Sequence, residues 1–139
     1  MPPPPVEEGI VFLTVDDALE IQKRQIARYG GGPDGVLNWP LLDSAVNAPR
    51  ATFDGCPLYA FPFEMAAVYM IHIIKNHPLR NGNKRTGSVA AIDFLGLNGY
   101  ELKIAPPQLR ELALRAEAGA GKQEIAKALE ALYLAAQGH

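Results

Sequence analysis

The sequence predicts a compact all-α helical bundle, and three observations lead there. Residues 63–76 (FEMAAVYMIHIIKN) and 85–98 (RTGSVAAIDFLGLN) are apolar around most of a helical circumference, as fully buried helices are. Residues 122–136 repeat apolar side chains at helical intervals through Ile125, Leu129, Leu132 and Tyr133. The composition fits: 139 residues with 48% hydrophobic and 20% charged side chains suffice for one buried core.

Taken in order, residues 1–9 read as a flexible Pro-rich tail, because Pro2 to Pro5 fix φ and lack amide donors. Residues 10–139 read as a single domain. Val11-Phe12-Leu13 is a strand or an apolar anchor. Thr14 is an N-cap, with Asp16 and Asp17 in a first turn where the helix dipole favours acid. Leu19, Gln22 and Ile26 follow at helical spacing, and Gly30-Gly31-Gly32-Pro33 ends that helix. A short helix is expected over 41–48, stopped by Pro49. The stretch from Arg50 to Pro62, with Gly55 and Pro57 among aromatics, reads as a loop or short hairpin. Pro106 and Pro107 begin a further helix, which Gly119 to Gly121 break before the last one. Trp39, Tyr59, Tyr69 and Cys56 are expected to pack.

Several classes are excluded or disfavoured. A net charge of −2 gives no reason to expect direct DNA binding. One cysteine makes neither an internal disulfide framework nor a thiolate cluster. The most apolar stretch, 61–74, is interrupted by Glu64 and His72 and falls short of the roughly 20 residues that span a bilayer. No membrane segment and a cytoplasmic, reducing location are expected. The first residues lack the basic and apolar regions of a signal peptide.

Chemistry gathers between the two apolar helices. From Met65 to Ile92 there is no acidic residue, whereas Lys75, Arg80, Lys84 and Arg85 lie within that span. Either a solvated loop has collected cations, or the start of the second helix is an anion site, where free amides and the dipole favour phosphate. Gly82 would let several amides turn toward one point, and Arg85 could grip two phosphate oxygens. His77 is the natural general base beside such an anion; its competing role is to cap carbonyls of the preceding helix. His72, inside that helix, reads as packing. There is no HExxH motif, and GNK is not a Walker loop.

The run His77-Pro78-Leu79-Arg80-Asn81-Gly82-Asn83-Lys84-Arg85-Thr86 resembles the signature loop of the Fic/Doc family, HxFx(D/E)(G/A)N. In that family the loop continues as GR in the adenylylating branch and as KR in the death-on-curing (Doc) branch. Phe12-Leu13-Thr14, Tyr29-Gly30-Gly31, Leu41-Leu42-Asp43-Ser44-Ala45 and the run from Phe94 to Tyr100 are similar to that branch at matching intervals. The resemblance implies a small helical fold with the signature loop between two buried central helices. It implies a toxin of a type II toxin–antitoxin system that moves phosphate from ATP, with Mg²⁺, to a Thr or Ser hydroxyl. The target would be a translation protein such as elongation factor Tu. AMP transfer is the alternative outcome of the same loop, and a weakened nucleotide- or protein-binding member is another.

On that resemblance His77 and Arg85 are catalytic, while Gly82, Asn83, Lys84 and Arg85 hold the phosphates. Asn81 stands where the family has a metal-holding acid, and a neutral amide lacks the charge a hard cation prefers. Leu79 stands for the usual phenylalanine as the anchor of the loop. The 50–59 loop corresponds to the family's target-docking flap. The inhibitory pattern (S/T)xxxE(G/N) of some members is missing from the sequence. Restraint by a separate Phd-like antitoxin is therefore expected.

Overall fold

The computed structural model describes residues 9–138. The tail expected over residues 1–9 thus lies outside the described residues, apart from Gly9. The all-α expectation holds, with six α-helices among the described residues: α1 (Val15–Tyr29), α2 (Trp39–Asn47), α3 (Phe63–Asn76), α4 (Asn83–Leu97), α5 (Pro106–Glu117) and α6 (Lys122–Gln137). A 3-10 turn over Ala48–Arg50 follows α2, and β1 (Thr52–Phe53) pairs antiparallel with β2 (Cys56–Pro57) in a small hairpin.

The centre of the bundle is α3, which packs on α2, α4, α5 and α6. Its expected bounds match, although no side chain caps its N-terminus. Met65, Val68, Tyr69, Met70, Ile73 and Ile74 are all buried. Each such burial contributes about 1.5–3 kcal/mol, against about 1 kcal/mol for a cap, so packing fixes this helix. Helix α1 has its expected start: the Asp17 amide donates to Thr14 Oγ1 at 3.1 Å, and the Thr14 amide donates to Asp17 Oδ2 at 2.8 Å.

The segment Val11-Phe12-Leu13 is an anchor and not a strand. Asn98 supplies what a neighbouring strand would: its Oδ1 accepts from the Val11 amide at 2.8 Å and its Nδ2 donates to the Val11 carbonyl at 2.9 Å. The Leu13 amide donates to Tyr69 Oη at 2.9 Å, and the Phe12 ring lies against Phe94.

Three expectations need correction. Helix α2 begins at Trp39 and not at Leu41, because Asn38 Oδ1 accepts from the Leu41 amide and Pro40 fits the first turn. Its end is as expected: α2 stops at Asn47, ahead of Pro49, which is buried inside the 3-10 turn that follows. Trp39, at the first position of α2, is 58% exposed, and Cys56 is exposed on the hairpin, so neither packs as expected. Tyr69 is buried and Tyr59 half-buried, as expected.

Candidate functional site

Residues 77–82 join α3 to α4. Helix α3 ends at His77 in a left-handed conformation (φ 47°, ψ 51°), which turns the chain before Pro78. Leu79 is fully buried with Ala18, Leu42 and Val46, so leucine does anchor the loop between α1 and α2. Its backbone bridges to Val36, and the Pro78 carbonyl accepts from the Leu37 and Asn38 amides at 2.8 and 3.0 Å.

Helix α4 starts at Asn83, two residues before the expected Arg85, because Gly82 takes a left-handed turn (φ 78°) and acts as N-cap. No side chain caps this end. The first-turn amides that capping would have used are therefore free to face an anion. Thr86 Oγ1, buried in the same turn, makes no hydrogen bond.

The structure brings His77 and Asn83 together. Asn83 is 5% exposed. Its Oδ1 accepts from the Leu79 amide and its Nδ2 donates to the Leu79 carbonyl, both at 2.9 Å, while Nδ2 also lies 3.2 Å from His77 Nδ1. Asn83 thus braces the loop from inside; the sequence suggested a phosphate contact. His77 is exposed and makes no hydrogen bond to the α3 carbonyls.

The cations are drawn apart. Lys84 Nζ lies 3.6 Å from Glu117 Oε1 on α5. The Arg85 Nη1 donates to the Gly30 carbonyl at 3.0 Å, with its guanidinium over the Tyr29 ring. Arg80 is exposed, and its amide donates to the Gly35 carbonyl at 3.0 Å.

Asn81 faces the Gly30–Gly35 segment. Its Nδ2 donates to the Pro33 carbonyl at 2.7 Å. A Cβ on Gly32 would sit 2.8 Å from that nitrogen, so glycine is what allows the approach. Among the described residues no group of three or more His, Cys, Asp or Glu could hold a metal. With the Asn81 nitrogen engaged by Pro33, what this side chain could offer a cation is its neutral Oδ1, without the charge a hard cation prefers.

Sequence reasoning counted Gln22 only as part of the α1 spacing. It is 1% exposed and hydrogen bonds to Gly35 and to the Asn81 carbonyl. A glutamine at an inward position of an otherwise apolar stripe was the signal. His72 is half-buried, and desolvation by burial lowers its pKa, in keeping with packing. Two surface grooves, of about 570 and 530 Å³, flank α4 at Ile92 and Leu102, and neither is lined by residues 77–85.

Residues 12–95 match the model of the Fic/DOC family. A protein named Toxin Doc from Mycolicibacterium smegmatis is 42% identical over 72 residues, 52% of this chain and 55% of the relative. The match therefore spans about half the length of that relative. No helix among the described residues is long and apolar enough to cross a membrane.

Proposed function

The chain belongs to the Fic/DOC family, and from that premise we propose that it is a Doc-like toxin that transfers the γ-phosphate of ATP to a Ser or Thr hydroxyl of a translation protein. The observation that carries this reading is the uncapped N-terminus of α4, preceded by the Gly82 turn and flanked by His77, Lys84 and Arg85. Free amides there would hold phosphate oxygens and stabilise charge that develops on them during transfer. The Arg85 guanidinium would leave the Gly30 carbonyl to grip the phosphates, and Lys84 would leave Glu117. The new bond joins the target hydroxyl oxygen to Pγ as the bond from Pγ to the β-bridging oxygen breaks. ADP departs and His77 takes the hydroxyl proton. Mg²⁺ would come with the nucleotide, held by its phosphates, and no step here is assigned to it.

A second reading, nucleotide binding without turnover, has one observation in its favour: the Asn81 amide donates to Pro33 where a carboxylate ligand would otherwise face the site. Restraint by a separate antitoxin and action in the cytoplasm belong to the first reading, from the toxin name of the relative.

Transfer from γ-labelled ATP to elongation factor Tu, in Mg²⁺, tests the proposal with the His77→Ala and Asn81→Asp variants alongside. Label on the target that vanishes in His77→Ala is the expected result. Label from α-labelled ATP instead would mean AMP transfer, and ATP binding without label from either position would favour the second reading.

A further inference from the structure

Gln22 is the one buried amide side chain outside α4 among the described residues. It shares the inward face of α1 with Ala18 and Ile21. A buried amide left without partners is destabilising, so its contacts are informative. The Gln22 Nε2 donates to two carbonyls, of Gly35 and of Asn81, each at 3.0 Å, and its Oε1 accepts from the Gly35 amide at 3.0 Å. Both amide hydrogens are used.

Those partners belong to two segments far apart in sequence. Gly35 also accepts from the Arg80 amide, and Pro33 accepts from Asn81 Nδ2. Gln22 therefore sits behind the place where the 30–35 segment meets the signature loop. It holds the backbone of Asn81, the residue immediately before the left-handed turn at Gly82 that starts α4.

We infer that Gln22 is a positioning residue for the phosphate-binding loop: it fixes the Asn81 carbonyl, and through it the Gly82 turn that aims the first amides of α4. This rests on the reading that the loop takes ATP. Gln22 touches neither nucleotide nor target in that scheme and acts only through the loop.

The test compares Gln22→Glu and Gln22→Met with the natural chain by ATP titration between pH 7.5 and about pH 5. An ionised glutamate keeps an acceptor for the Gly35 amide but sets negative charge against two carbonyl oxygens. Protonation restores one donor. The expected result is ATP affinity roughly tenfold weaker in Gln22→Glu at pH 7.5, equivalent to about 1.4 kcal/mol. The ratio to the natural chain should recover as pH falls. Gln22→Met should be weak at every pH, with helical content retained. A merely structural role would lower melting temperatures without this pH-dependent ratio, and equal affinities or a pH-independent ratio would overturn the inference. A natural chain that binds no ATP would overturn the reading of the site instead. Hydrogen exchange then decides the inference: faster exchange at the amides of 82–86 than in α6 for Gln22→Glu supports it, and unchanged exchange overturns it.

Discussion

Asn83 Nδ2 lies 3.2 Å from His77 Nδ1, and the orientation of that amide is fixed. The Leu79 amide can only donate, so the atom that accepts from it is oxygen, and the nitrogen faces the imidazole. Nδ1 must then be the acceptor, which leaves the ring proton of neutral His77 on Nε2. No lone pair of the ring is free in this state. On the proposed reading, taking a proton from a target hydroxyl would require the contact with Asn83 to open.

That relationship is measurable in solution. Long-range proton–nitrogen spectra of neutral His77 should show a bare Nδ1 and a protonated Nε2, and Asn83→Ala should erase the bias. A majority of Nδ1–H in the natural chain would contradict the assigned hydrogen bond.

Gly32→Ala should disturb the site from outside the signature loop. The new Cβ would lie 2.8 Å from Asn81 Nδ2, at a φ of +104° that side chains rarely adopt. A loss of about 1–3 kcal/mol in chemical denaturation is expected, together with weaker ATP binding. Unchanged denaturation midpoint and affinity would show that Asn81 moves aside freely.

His72 should make stability depend on pH. Burial lowers its pKa below 6.5, so between its folded value and 6.5 the unfolded chain binds more protons. The associated stability is fully present above 6.5 and is lost as pH falls through that window. Urea midpoints of His72→Gln should gain on those of the natural chain as pH drops from 7.5 to 5. Parallel curves would refute this.

Lys84→Gly tests the branch-specific position. The Lys84–Glu117 pair is half-exposed on both sides, so losing it should cost about 0–1 kcal/mol, with a further ~1 kcal/mol for glycine in a helix. Transfer from γ-labelled ATP should fall and transfer from α-labelled ATP should rise. An unchanged ratio of the two labels would remove Lys84 from the choice of nucleotide pose.

The apolar helices were legible because burial needs no partner-specific information: residues 63–76 show it all round. The early start of α4 was not, since Asn83 and Lys84 are polar and only the left-handed Gly82 makes the first turn. Asn38 hid the start of α2 in the same way. The signature loop stood out by residue type and order. What each side chain holds was not readable, because the partners come from elsewhere: Leu79 sits four residues from Asn83, but Pro33 is 48 from Asn81 and Gly30 is 55 from Arg85. Trp39 and Cys56 misled because an apolar residue in a loop or first turn need not find a core.

The contact between the 30–35 segment and its neighbours is one-sided in kind. Gly30, Pro33 and Gly35 offer only main-chain atoms, to Arg85, Asn81, Gln22 and the Arg80 amide. What the segment must preserve is therefore its length and path more than its lettering. Asp34 could change type without removing any of these bonds, whereas deleting one residue would shift the contacts to these four partners against one another. The register of a stretch that carries no chemistry of its own thus governs where the reactive side chains rest.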